Sequence, residues 1–320
     1  MQALIDVFGL AQQHLFESLL QPVMVYLGLS NLLAEGYDAS GWLLVGLLQI
    51  AVMVTLFRAL ERWRPAETVT DHAAVRVDIV YTLIHRLGLF RLALFFSADP
   101  FTDDIIGALR VAGLPTFHLE PLWPGVTDLA LVSLVLYLLL FDFVDYWLHR
   151  AQHRFNWWWQ LHALHHSQRQ MTLWSDNRNH LLDDLLRDRV LVAVAVFVGI
   201  GPGQFVAVVA CTQLLESLSH ANWRASFGPV LGRVLVSPRF HRLHHAIGIG
   251  HESQGPGSLG GHNFAVLFPV WDIVFRSADF TSPIESTGVR DQLPNAGGRD
   301  YGRSFWSQQW LGIQRLVGRA

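Results

Sequence analysis

Apolar residues in this chain run in long blocks rather than alternating with polar ones. Residues 42–57 and 126–147 are apolar almost throughout and approach the span of about 20 helical residues that a bilayer core requires. Residues 77–96, the second block in chain order with 126–147 the third, are apolar too, but His85, Arg86 and Arg91 lie inside them, which predicts a helix packed within a bundle or lying at the interface. A fourth block, residues 190–218, is interrupted by Gly199-Ile200-Gly201-Pro202-Gly203, where proline and glycine turn the chain. It predicts a helical hairpin that enters and leaves the membrane on one side. Residues 15–33, broken by Pro22, predict a further membrane-associated helix. The pattern as a whole reads as an all-α integral membrane protein with about four transmembrane segments, the hairpin included. Residues 1–125 hold N-terminal membrane helices, 126–280 a histidine-rich region of membrane helices plus a cap, and 281–320 a polar tail with one short amphipathic stretch at 305–316.

Composition strengthens this picture: of 320 residues, 51% are hydrophobic and 15% charged, where a soluble domain carries about a quarter charged residues. The start of the chain lacks a basic segment, short apolar run and small-residue cleavage site, so the whole chain is read as mature. Every basic residue is arginine, which points to a GC-rich, bacterial genome. Arg58, Arg62, Arg64 and Arg76 follow the first block, Arg150 and Arg154 the third; Arg187 and Arg189 precede the hairpin, and Arg224, Arg233, Arg239 and Arg242 follow it. The connection between the second and third blocks carries Asp99, Asp103, Asp104 and Glu120 against Arg110 alone. Under the positive-inside rule these assignments agree. They place residues 149–189 and 220–320 in the cytoplasm, and the chain in the bacterial inner membrane. A net charge of −3 with scattered basic residues points away from a nucleic-acid partner. Cys211 is the single cysteine, so intrachain disulfides and thiolate clusters are excluded, and any metal chemistry rests on histidine and carboxylates.

The 16 histidines are the informative feature. His149 and His153 are one helical turn apart where the third block ends. His162, His165 and His166 follow as an i, i+3, i+4 set, and His241, His244 and His245 repeat that set; His180 and His220 stand singly between the triplets. An isolated HxxxH is an ordinary helix-end pair, whereas three clusters in one chain are not coincidence. Imidazole ligates iron, zinc and copper. Eight to ten of them exceed what one ion uses, so the economical reading is two metals, each taking four or five nitrogens.

The segments His149-Arg150-Ala151-Gln152-His153, His162-Ala163-Leu164-His165-His166 and His241-Arg242-Leu243-His244-His245 resemble the three histidine boxes of the fatty acid hydroxylase/sterol desaturase superfamily. Asn177-Arg178-Asn179-His180, Ser219-His220-Ala221-Asn222, Ser237-Pro238-Arg239-Phe240, Asn263-Phe264 and Trp271-Asp272-Ile273-Val274-Phe275 extend the resemblance over residues 142–276. It implies a cytoplasmic helical cap holding two iron ions, with His149, His153, His162, His165, His166, His180, His220, His241, His244 and His245 as ligands. The implied reaction is O2-dependent hydroxylation of a lipid C–H bond, with desaturation as the alternative outcome. Two departures stand out. Leu181 follows His180 where the superfamily often has proline, and the third box leads into a Gly-rich run, residues 248–261, which contains His251 and is expected to lie over the site.

Helical spacing makes Asp145, Asp183, Asp184 and Glu216 candidates to orient ligand imidazoles. His262 is open between ligand, proton donor and loop residue. His85 is read as pairing inside the bundle, and His14, His72 and His118 as structural or solvent-facing. Trp157, Trp158 and Trp159 read as an interfacial aromatic belt. Because a membrane lipid would be the substrate, an apolar tunnel or cleft is expected to lead to the metals. Dinucleotide and iron–sulfur motifs are missing from the sequence, so electrons are expected from a separate reductase with a ferredoxin or cytochrome b5-like carrier. A zinc hydrolase would want a glutamate base, absent from the first box, where Ala151 and Gln152 stand. A haem or other metal electron-transfer protein would place histidines in mid-span rather than beyond the span ends.

Overall fold

In the computed structural model, residues 2–247, 261–281, 283 and 286–319 are described. Among them there is no β-strand, only two isolated bridges, Pro65 with Trp223 and Ala246 with Thr287. The Gly-rich run after the third box, with His251, lies outside the described residues apart from its last residue.

Helix α1 (Gln2–Leu15) passes through a π-helical turn, Phe16–Leu20, into α2 (Gln21–Tyr26). Pro22 lies just after the π-helical turn, where a wider turn accommodates its missing N–H, and the helix stops before Gly28, whose φ is 73°. Next, α3 (Leu33–Val52) continues through a second π-helical turn, Met53–Phe57, into α4 (Arg58–Trp63). Together with Ser30–Leu32 they form one apolar rod, Ser30–Trp63, and α8 (Ala130–Arg154) is another; among the described residues these two are long and apolar enough to cross a membrane.

The block at 77–96 comes out differently. In place of a continuous helix over 77–96 there are α5 (His72–Arg86) and α6 (Leu89–Phe95), separated by Gly88 at φ 76°. Polar residues explain the break: Asp78, Thr82 and Arg86 are fully buried in protein, and Arg86 donates to Asp176 (2.8 Å), the Ser217 hydroxyl (2.9 Å) and Gln49 (3.2 Å). The fourth block does turn at residues 198–201, giving α10 (Leu181–Phe197) and α11 (Pro202–His220), both of which pack on α8. Between these elements lie α7 (Asp99–Val111), preceding α8, and α9 (Asn156–His166), which follows α8 after a single residue, Phe155. The remainder is α12 (Gly228–Leu231), α13 (Pro238–His244), α14 (Val270–Val274) and α15 (Phe305–Leu316), the last at the bounds expected for the amphipathic stretch.

One face of α8 organises the interior. Asp142, Asp145, His149, Gln152 and His153 recur at three- and four-residue intervals, and all are buried. Asp142 accepts from the backbone N–H groups of Leu267 (2.7 Å) and Phe268 (3.0 Å) and from the Trp271 indole (3.0 Å), and Asp145 pairs with Arg187 (2.8 Å). Helix α8 thus fixes a loop on one side and α10 on the other through charge-assisted bonds, the strong class.

Close approach of α3 to α5 depends on Gly46, where an added Cβ would lie 1.6 Å from the Arg86 carbonyl oxygen. We expect Gly46→Ala to destabilise the fold by about 1–3 kcal/mol or more through overpacking. Gly9→Ala, which meets open space, serves as the control. Thermal unfolding of the detergent-purified variants checks this, and equal midpoints would contradict the packing.

Candidate metal centre

Nine of the ten expected ligand histidines gather in two groups whose candidate ligand atoms lie within 4.8 Å of one another: His149, His153, His162, His166 and His244, and then His165, His220, His241 and His245. All nine are buried. The two groups abut, with the rings of His166 and His245 stacked at 4.3 Å between centroids.

Helix geometry produces the partition. Relative to residue i, residue i+4 lies about 40° round the helix and i+3 about 60° the other way, so i+3 and i+4 diverge by about 100°. In the second box, on α9, His162 and His166 therefore enter the first group and His165 the second. The third box, on α13, does the reverse: His241 and His245 enter the second group and His244 the first. The first box gives both its histidines to the first group, and His220, the last residue of α11, completes the second. Ser237 sets the start of α13 by accepting from the Phe240 N–H (3.2 Å), with Pro238 preformed in the first turn.

An imidazole nitrogen carries either one hydrogen or one lone pair. The His241 Nε2 faces both His220 Nε2 (3.0 Å) and His245 Nε2 (3.1 Å), and His220 Nε2 also faces His165 Nε2 (3.2 Å). One in-plane site cannot serve two partners, so hydrogen bonds among these rings leave the group unsatisfied, whereas a cation receiving four lone pairs satisfies it. In the first group the Nδ1 atoms of His149 and His244 donate to the Phe264 and His262 carbonyls (both 2.7 Å), and Nδ1 of His162 to the Asp183 carboxylate (3.0 Å). That leaves the Nε2 lone pairs of His149, His162 and His244 buried without a hydrogen-bond partner. The donor set therefore fits metal ions, one per group.

Burial, and after it the neighbouring imidazoles, holds His165, His166, His241 and His245 well below the ordinary imidazole value. For His244 burial outweighs its bond to the His262 carbonyl and takes the pKa down to about 3. Burial alone would raise Asp183, yet donation from His162, Gln152 and Trp158 holds it below the usual carboxylate value.

A cavity of about 130 Å³ opens on both groups. Its walls include Asp145, Asp176, Asp183, Asp184, Arg187 and Glu216, with Val266 the single apolar lining residue. The apolar cleft expected at the metals is not this cavity.

His180 stands outside both groups. Its Nδ1 caps α10 by accepting from the Leu182 N–H (3.1 Å), and its Nε2 donates to the Gln309 carbonyl of α15 (2.9 Å). Gly312 makes room for the ring, since a Cβ there would lie 2.2 Å from it. Both nitrogens being engaged, His180 joins α10 to α15. Of the carboxylates, Asp184 reaches His85 (3.3 Å), Asp145 and Glu216 both hold Arg187, and His220 is oriented by the Glu216 backbone carbonyl (2.9 Å) rather than by its carboxylate. Asp183 is the acid that touches a histidine of the cluster. His262 offers its carbonyl to His244. The Trp157–Trp159 run is not a belt: Trp158 is buried and donates to Asp183 (2.6 Å), and Trp159 packs on His153 and His166, while Trp157 stays exposed. Asp272 went unread. It accepts from Phe264 N–H (2.9 Å) and Ala265 N–H (2.7 Å) and so aims the Phe264 carbonyl at His149; a buried acid beside tryptophan eight residues beyond an Asn-Phe pair was its only signal.

Two abutting sets of buried imidazoles, carried by the end of the long apolar helix α8 and by α9, α11 and α13, define a polyhistidine site that could hold metal. Residues 134–277 match the fatty acid hydroxylase family, which fits the fatty acid hydroxylase/sterol desaturase superfamily that the boxes resemble. The chain is similar to ornithine lipid hydroxylase OlsE of Rhizobium tropici, 25% identical over 72% of this chain and 65% of that protein. It is also similar to alkylglycerol monooxygenase of Caenorhabditis elegans, 27% identical over 42% of this chain and 25% of the relative. With the Delta(7)-sterol 5(6)-desaturase ERG3B of Gibberella zeae it shares 30% identity over 36% of this chain and 35% of the relative. It thus spans less than two thirds of the length of each. These relatives are oxidoreductases by name, the enzyme class expected from the sequence. No solved structure matches the chain.

Asp183→Asn should weaken metal binding by about 10–100-fold, the usual cost of losing a ligand's supporting partner, while Asp184→Asn should leave it unchanged; competition with a chelator measures both, and equal affinities would sink the assignment. A second expectation concerns acid. The depressed histidines bind protons in the unfolded chain before they do in the folded one. The metal-free protein should therefore lose stability as pH falls below about 6.5, by up to about 1.4 kcal/mol per pH unit for each group. A melting temperature flat between about pH 7 and 5 would contradict buried neutral imidazoles.

Proposed function

We propose that this chain is an O2-dependent di-iron hydroxylase that inserts oxygen into a C–H bond of a membrane lipid. The observation that carries the reading is the pair of abutting imidazole groups whose lone pairs converge. His149, His153, His162, His166 and His244 would hold one iron, and His165, His220, His241 and His245 the other. When bound, the two ions supply activation of O2 and abstraction of hydrogen from carbon. The chain's own contribution is positional. Asp183 and the carbonyls of Phe264, His262 and Glu216 keep Nδ1 protonated on four rings, so that Nε2 points inward as the donor. Trp159 and Phe264 cover His153 and keep water from that side.

Electrons come from outside the chain, through a reductase with a ferredoxin or cytochrome b5-like carrier. The arginine distribution supports an inner-membrane protein with its centre on the cytoplasmic side. Hydroxylation is supported by the hydroxylase and monooxygenase relatives; the desaturase relative supports a second outcome at the same site, removal of two hydrogens. A haem electron carrier fits less well, because facing nitrogens 3.0–3.2 Å apart leave no room for a macrocycle between them.

Metal analysis of the purified protein tests the reading, with two irons per chain and no haem absorbance expected. His165→Ala and His244→Ala should each lose iron and abolish the gain of one oxygen in cellular lipids, whereas His180→Ala should keep its iron. Wild-type iron content in His165→Ala or His244→Ala would overturn the site.

A further inference from the structure

A second cavity, of about 560 Å³, lies at the end of α8 beside the first imidazole group. Its lining includes Trp147, Arg150, Arg154, Phe155, Phe264 and Arg276, and no carboxylate lines it. From it we infer that the chain binds the anionic headgroup of its lipid substrate here, an inference that rests on the proposed hydroxylase reading and narrows its substrate class.

Trp147, Arg150 and Arg154 fall at i, i+3 and i+7, so one face of α8 presents an aromatic ring and two guanidinium groups in the last turns of a candidate span, where lipid headgroups lie. Among the described residues no carboxylate comes within ion-pair distance of Arg150, Arg154 or Arg276. The five carboxylates of the imidazole-facing cavity, by contrast, all pair with a basic or histidine side chain. Arg150 is held ready: it donates to the Tyr146 hydroxyl (2.8 Å), which is bonded to Ser277 (2.9 Å), itself anchored on Asp272 (2.6 Å). Arg276 sits at φ 59°, a backbone conformation that glycine adopts freely and arginine does not. Strain of this kind persists where a side chain has work there. Trp147 and Phe155, on the cavity's lining, are exposed, as a surface wetted by acyl chains requires. Phe264 is the shared wall: its ring centroid lies 5.3–5.8 Å from those of His149, His153 and His244, so a headgroup held by the arginines would rest one aromatic ring away from the first group.

The test uses iron-loaded, detergent-purified protein and native mass spectrometry with phosphatidic acid or phosphatidylcholine of the same chains. Phosphatidic acid should bind at least about tenfold more tightly, the scale of charge-assisted contacts, and inorganic phosphate should not displace it. Arg276→Gly, which relieves the backbone while removing the charge, combined with Arg154→Gln should bring the two lipids within about twofold. Iron content and melting temperature should hold, which separates lost recognition from lost fold. Equal retention of both lipids by the wild type, an undiminished preference in the double variant, displacement by free phosphate, or turnover of neutral lipids in preference to anionic ones would each overturn the inference. Iron analysis stands apart: a protein with the lipid preference but without iron would fell the metal reading and leave the anion site standing.

Discussion

Nine buried imidazoles crowd together, six of them ring nitrogen to ring nitrogen at hydrogen-bond distance and three with an Nε2 that has no hydrogen-bond partner. Left alone, such an arrangement is costly, because each buried lone pair without a partner forfeits its hydration. Much of the remaining structure answers that cost. Four rings are locked by an outward Nδ1 bond to a carbonyl or carboxylate. Two hydrophobic clusters then wall the centre, one built on Tyr146, Phe240 and Phe264 and the other on Met53, Leu173 and Trp174.

Helix α8 joins the apolar half of the chain to this polar interior. Its buried face presents acids first and histidines after, and each acid anchors what a histidine later needs. Asp142 holds the loop that contains Phe264 and its carbonyl, while Asp145 grips Arg187 on the helix that supplies Asp183. Loss of one acid therefore displaces an imidazole partner it never touches.

Much of the centre was legible in the chain, because i, i+3, i+4 spacing is a property of one helix and needs no tertiary knowledge. The three boxes and His220 come together as their spacing implied. What failed depended on contacts between distant segments. His180 reads as a ligand from its neighbours Asn177 to Asn179, but whether its nitrogens are free is decided by Gln309, over a hundred residues away. Asp183 and Asp184 are equivalent by spacing, and only the packing of α10 on α9 tells which one meets His162. The tryptophan run has the composition of a membrane interface, and the one-residue link between α8 and α9 folds two of the three rings inward. The apolar stretch at 77–96 hid its break because Arg86 is neutralised by Asp176, a residue from a different part of the sequence.

The Gln309 side chain accepts from the Leu181 N–H and donates to the Tyr81 hydroxyl and the Asn179 carbonyl, so one amide ties α5, α10 and α15 together. Helix α15 also packs along α9, the helix of the second box. Ribosomal synthesis delivers this clasp after all three boxes. The contacts that join α9 and α10 through α15 therefore become available only after all three boxes have been made.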